Sequence, residues 1–202
     1  MEPGRPPGSV PGLDEVGPAV RAAVGLLGEL DLVVHVPALP DGPSTVVAQS
    51  TDAWIASCEA PMAEAIGVAR AVGGLTRDSS HDAGAERRLV WVVPTTALGG
   101  AAGYVGAGAA GEGIRALAKS VAKQWGPTCT TTVLAVSPTV VFHGSGPAEE
   151  GSLSPPALGR PDDVTTHVTT DIASLVDLLA DRRNRTTTGA TVVADGGLWM
   201  AP

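Results

Sequence analysis

The stretch Arg87-Arg88-Leu89-Val90-Trp91-Val92-Val93-Pro94-Thr95-Thr96 is followed, after a link rich in Gly and Ala, by Gly111-Glu112-Gly113-Ile114-Arg115-Ala116-Leu117-Ala118-Lys119-Ser120-Val121-Ala122-Lys123-Gln124-Trp125-Gly126. Residues 89–93 form a short apolar run rich in branched and aromatic side chains, the pattern of a strand buried on both faces. Ile114, Leu117, Ala118, Val121 and Trp125 recur at spacings of three and four, which predicts an amphipathic helix over 109–125. Gly126-Pro127 stops it. A buried strand feeding a long helix is half of a parallel β-α-β unit.

The pattern repeats outward. Residues 31–36 predict a buried strand, and a helix over 16–30 precedes it with Val16, Val20, Val24 and Leu27 on one face. Thr51-Asp52 caps a further helix with Ile55, Cys58, Met62, Ile66 and Ala69 in one stripe. Residues 73–86 form a polar loop. Residues 130–136 predict a strand, 140–158 a loop, 163–182 a helix with Val164, Val168, Ile172, Leu175, Val176 and Leu179 facing inward, and 190–194 the last strand. The fold class is therefore α/β, a parallel sheet with helices on both faces. Residues 15–202 read as one domain, and residues 1–14, dense in Pro and Gly, as a disordered arm.

Composition narrows the function. The chain has 202 residues and a net charge of −8, which argues against nucleic acid and against an anionic membrane surface as partners. No apolar run reaches the ~18 residues of a membrane span, and the N-terminus lacks the apolar core of a secretory signal. Cys58 and Cys129 are too few for a disulfide framework, so a reducing cytoplasm is the expected compartment. With one Phe and one Tyr, the core must be built from Val, Leu, Ala and the four Trp.

The strand and helix of the opening stretch, with Gly159-Arg160-Pro161-Asp162-Asp163-Val164 and the C-terminal Thr188-Gly189-Ala190-Thr191-Val192-Val193-Ala194-Asp195-Gly196-Gly197, resemble the short-chain dehydrogenase/reductase family over roughly residues 15–202. The resemblance implies a Rossmann-like sheet, shortened here at its N-terminus, whose catalytic Ser ends the central strand and whose next helix carries Tyr and, four residues on, Lys. Thr96 falls at the Ser position if Thr96-Ala97-Leu98-Gly99 matches the family's Ser-x-x-Gly. Aligned on Lys119-Ser120, the Tyr and Lys positions hold Ala107 and Gly111. The only Tyr is Tyr104, with Gly108 four residues on, and no Lys precedes Lys119. The family's Asn, seven residues after the Trp of its helix, is replaced by Pro61, counted from Trp54. Where family members read Asn-Asn-Ala-Gly, this chain reads His35-Val36-Pro37-Ala38, and Ser137-Pro138-Thr139 stands at the family's Pro-Gly turn.

The family's chemistry needs a phenol whose pKa is lowered by a neighbouring cation, so that a proton passes to or from an alcohol or ketone near neutral pH. Neither register supplies the pair. The cofactor motif, Gly-x-x-x-Gly-x-Gly between the first strand and helix, is missing as well. Gly4, Gly8 and Gly12 are separated by prolines and follow no strand. The cluster Gly99-Gly100 with Gly103-Tyr104-Val105-Gly106-Ala107-Gly108 follows a strand, yet reads as a tightly packed helix start before it reads as a phosphate loop.

Other chemistry is weaker. His35, His81, His143 and His167 lack metal spacing. Cys58 lies on an apolar stripe, Ser137 has no evident base, and Asp162-Asp163 reads as a helix cap. Arg182, Arg183 and Arg185 suit a helix C-terminus, with an anion site as the other reading.

These readings converge on a non-catalytic subunit that associates with and stabilises an active NAD(P)-dependent short-chain dehydrogenase or ketoreductase. The resemblance extends the partner's substrates to acyl-CoA, acyl-carrier or polyketide-type compounds. No cofactor is expected on this chain, and NAD(P) belongs to the partner. Family members assemble through the helices matching 53–72 and 109–125 and through the last helix and strand; on the second of these helices Gly113, Ala116, Leu117, Ser120, Val121 and Trp125 are the candidate interface, with self-association as the other outcome. One alternative is a small-molecule binding protein or an enzyme of other chemistry, its pocket lined by Thr96, Tyr104 and His143. A second is an active reductase with a rearranged site around Tyr104.

Overall fold

The computed structural model describes residues 16–39, 43–78, 86–142 and 167–199. β2 (Arg87–Pro94) and β3 (Cys129–Val136) are buried along nearly their whole length, as two unbroken apolar runs require when helices cover both sides. They pair in parallel, with Trp91 beside Val133 and Pro94 beside Val136. β1 (Leu32–His35) lies outside β2 and β4 (Thr191–Ala194) outside β3, so the sheet order follows the chain and every pairing is parallel.

Alternate residues build two cores. Leu89, Trp91, Val93, Val133 and Ala135 face Ala65, Val68 and Val72 of α3 (Ala60–Asp78) and Ile114, Ala118 and Val121 of α5 (Val105–Trp125). Val90, Val92, Leu134 and Val136 face the other way, against Val141 of the short α6 (Pro138–Val141) and Leu179 of α7 (Ala173–Ala180). Helices thus cover both faces. Among the described residues no helix is long and apolar enough to cross a membrane.

Three expectations need correction. α1 (Val16–Leu27) stops before residue 30, at Gly28 with φ 81°, and packs on α3 without burying a single residue; Leu27, expected inward, is 70% exposed. The helix that begins at Thr51 runs on to Asp78, through residues 73–78 of the expected polar loop at 73–86, and is not one continuous α-helix. α2 (Thr51–Trp54), capped by the Ser50 side chain rather than by Thr51-Asp52, runs into a π-helical stretch (Ile55–Glu59) and then α3. The wider π turn changes the phase of the face downstream. Ile66 consequently points outward, and Pro61, Ala65, Val68 and Val72 take the buried positions. Finally, Thr96–Gly99 and Pro138–Val141 form single-turn helices, α4 and α6, where links were expected. Val164 and the arm at 1–14 lie outside the described residues, as does most of the expected loop at 140–158.

Candidate functional site

In an open parallel sheet the place for a ligand is the crevice beyond the C-terminal strand ends. Here those ends are His35-Val36-Pro37 after β1, Thr95-Thr96 after β2 and Ser137-Pro138 after β3. The Thr95 N–H donates to the Val136 carbonyl at 2.9 Å, tying the β2 and β3 ends together. Thr96, at the first position of α4, is 8% exposed, and its Oγ1 has no hydrogen-bond partner.

The expected acid/base positions do converge on this end, but as packing. Ala107 is buried on the first turn of α5, in a small cluster with Tyr104 and Phe142. Gly111 lies one turn further along, where a Cβ would stand 2.5 Å from the Ala97 Cβ. A side chain of any size at Gly111 meets a well-packed wall. Pro61 is buried directly after the π stretch, where the Ala60 N–H reaches back to the Ile55 carbonyl. A proline has no N–H to continue an α-helical ladder, so the irregular turn sits where its donor is missing.

Tyr104 caps α5 rather than standing in a loop. Its ring is 7% exposed and tilted 58° against Phe142, with centroids 5.1 Å apart. Part of the glycine cluster around it is packing, since a Cβ on Gly103 would meet Pro43 and one on Gly106 would collide with Ser57, whose hydroxyl donates to the Ala53 carbonyl at 2.7 Å, whereas Gly100 and Gly108 have open space. The contact of Ser57 with Gly106, between the π stretch and the start of α5, was not foreseen. Its only sequence signal is a small residue at 57 opposite a Gly.

His35 is 9% exposed, and neither ring nitrogen makes a hydrogen bond. Its Nε2 lies 3.8 Å from a Glu64 carboxylate oxygen on α3, while burial pushes its pKa down from 6.5 to about 4. At neutral pH the ring is therefore uncharged, and the contact with Glu64 is not an ion pair. Burial, then the Glu59 charge, pushes the Cys58 thiol up; burial pushes Cys129 up to about 11 despite the nearby Arg87 and Arg88. Neither is a thiolate at neutral pH, so neither is poised for nucleophilic attack. Among the described residues no three His, Cys, Asp or Glu group around a metal position. His81, His143, Asp162 and Asp163 lie outside those residues, as does the side chain of His167.

The arginines after α7 have carboxylate partners. Arg182 pairs with Asp31 at 3.1 Å, Arg185 with Glu86 at 3.2 Å, and Arg183 grips Asp181, holding that carboxyl down near about 2. An anion site is not what this cluster forms. Asp195 has a structural task that its Asp-Gly-Gly signature carries: its carboxylate accepts the N–H groups of Gly197 and Trp199 at 3.0 and 2.9 Å. That turn lays the Trp199 indole on Gly99, beside the end of α4.

The candidate interface residues divide. Val121 is 4% exposed in the chain's own core, Leu117 packs against that core, and Trp125 lies over Gly73. Gly113 faces Met62, whose Sδ lies 2.6 Å from where a Cβ would stand. Ala116 and Ser120 stay exposed on the outer face of α5.

Residues 8–199 match the family described as enoyl-(acyl carrier protein) reductase. Among solved structures the chain is similar to a short-chain dehydrogenase/reductase, glucose/ribitol dehydrogenase, from Brucella melitensis. The likeness covers 94% of this chain and 72% of that one, with 18% identity and a TM-score of 0.68. At that identity it bears on the fold alone. No curated protein matches.

Proposed function

From the premise that the chain belongs to the enoyl-(acyl carrier protein) reductase family of short-chain dehydrogenase/reductases, we propose that it is a non-catalytic member, a subunit that associates with and stabilises an active NAD(P)-dependent relative. The observation that carries this reading is the contact of Gly111 with Ala97. In the family's register a lysine belongs at Gly111 and a tyrosine at Ala107. Here the first position is closed by packing and the second is a buried methyl group. Without the phenol and the cation there is no group to exchange a proton with substrate. Tyr104 does not replace it, since its ring is buried and tilted against Phe142 with no lysine four residues on.

NAD(P) and the acyl-type substrate belong, on this reading, to the partner. The test is titration of the purified chain with NADH and NADPH by fluorescence and calorimetry, beside co-expression with an intact short-chain dehydrogenase of the same genome. The expected result is no saturable binding by the chain alone and recovery of a mixed complex. Saturable binding at micromolar concentration, with turnover, overturns it.

A second reading draws on Thr96. A buried hydroxyl with no partner at the end of the central strand is what a small-molecule site leaves exposed to its ligand. A ligand with one polar group, held at Thr96, fits a binding protein with no turnover. Loss of ligand-induced thermal stabilisation in Thr96→Val is its signature.

A further inference from the structure

Polar groups are enclosed in the seam between β1, β2 and α3. His35 is 9% exposed and Trp91 is 0% exposed, and neither His35 nitrogen nor the Trp91 Nε1 has a hydrogen-bond partner. The strand register sets His35 beside Trp91. Both face α3: Trp91 shares a core cluster with Ala65 and Val68, and His35 Nε2 lies 3.8 Å from a Glu64 carboxylate oxygen. The three nitrogens are closed off from solvent by the chain itself, so a partner for them must be small and internal. The distance to Glu64 points to its kind. A direct N–H···O bond spans about 2.7–3.2 Å, and a longer gap between two polar groups is where a water bridges. A buried donor without an acceptor is costly, and interiors recruit ordered water at such places.

We infer that this seam binds one internal water, held by His35, Trp91 and Glu64. The donors and acceptors match it. The neutral imidazole has one N–H and one bare nitrogen, the indole offers only an N–H, and a carboxylate only accepts. A water accepts from the two N–H groups and donates to Glu64, which gives it about three bonds, the usual number for a buried water. The imidazole proton then belongs on Nε2, because a proton on Nδ1 would be a buried donor with no acceptor. Held in this way, the water ties the last residue of β1 to α3 through contacts that need no charge on His35. The inference goes beyond the proposed function and does not depend on it.

The experiment is a crystal structure of the purified full chain at a resolution that places waters, with oxygen-17 relaxation dispersion in solution on the wild type, His35→Leu and Trp91→Phe. Leu is close to His in volume and has no polar side-chain atom, and thermal unfolding of each variant is the folding check. The expected result is an ordered water within hydrogen-bond reach of His35 Nε2, Trp91 Nε1 and the Glu64 carboxylate. The long-lived water signal should fall by one water in His35→Leu and exchange at least about tenfold faster in Trp91→Phe, as loss of one hydrogen bond implies. The wild-type structure decides the matter by itself should a variant fail to fold. A direct hydrogen bond between His35 and Glu64 with no water between them overturns the inference. So does a dry seam, a proton found on Nδ1 by nitrogen-15 NMR, or a long-lived signal that folded His35→Leu leaves unchanged. Failure of the cofactor test leaves this result untouched, because it is read on the pure chain without nucleotide.

Discussion

The centre of the molecule and its β1 rim follow opposite rules. β2, β3 and α5 contribute Leu89, Trp91, Val93, Ile114, Ala118, Val133 and Leu134 at 0–1% exposure. β1 and α1 carry comparable apolar residues, yet α1 buries none of them, and Leu26 is 86% exposed. The composition of the two regions is similar; what differs is the number of elements available to cover them. A strand flanked on both sides and both faces is closed within the chain, whereas an edge strand with one described neighbour leaves part of its apolar surface exposed. The comparison separates a closed centre, where burial is concentrated, from a rim whose apolar side chains stay exposed.

The strongest way to break that separation is to disturb the centre at the vanished catalytic position. Gly111→Lys restores the residue type the family would hold there, but its Cβ meets the Ala97 Cβ at 2.5 Å, so α4 or α5 must shift to admit the side chain. The expected loss is about 4 kcal/mol or failure to fold, with no gain of reductase activity. Denaturant titration checks the first part and NAD(P)H turnover the second; a stable, active variant would sink the non-catalytic reading. At the same centre, Leu134→Ala removes a fully buried side chain shared by both neighbours of β3. It should cost about 3 kcal/mol in the denaturant midpoint analysis, whatever the oligomeric state.

The rim has one buried titratable group, and it sharpens the comparison through pH. The pKa of His35 falls from 6.5 to about 4 because burial disfavours its charged form. The unfolded chain therefore takes up the proton first. Stability from this group is fully present above about pH 6.5, declines as pH falls, and is lost by about pH 4, a swing of about 3 kcal/mol. His35→Gln removes the titration and should flatten the stability profile across that window. An unchanged slope would mean that the carboxylate of Glu64, 3.8 Å away, compensates the buried charge.

Much of the centre was legible in the sequence, because an unbroken run such as Leu89-Val90-Trp91-Val92-Val93 has few other uses than a doubly covered strand. The sheet class, the parallel pairing and the helix at 109–125 all followed from such runs. The site was less legible for two physical reasons. Pro61 announces a bend, but not that a five-residue π stretch precedes it and resets which face of α3 is buried, so Ile66 was assigned inward and lies outward. Small residues are ambiguous in a different way. Gly113 serves close approach in any helix contact, and only coordinates reveal that the neighbour is the chain's own Met62 rather than a partner. Exposed Ala116 and Ser120 keep the partner reading of α5 alive, because nothing described covers them.

The smallest expected effect tests the rim most cleanly. Leu26 is 86% exposed on the last turn of α1 and belongs to neither core cluster. Leu26→Ala removes apolar atoms that already face solvent and substitutes the strongest helix former, so the stability of the isolated fold should move by less than about 0.5 kcal/mol. If the rim is a contact surface, the same change instead weakens self-association, because the side chain is buried only in the assembly. Concentration-dependent unfolding distinguishes the two: the midpoint at high dilution should match the wild type, and the difference should grow as protein concentration rises. A loss of stability independent of concentration would mean that Leu26 supports the fold itself, and the division between a closed centre and an open rim would fail at this residue.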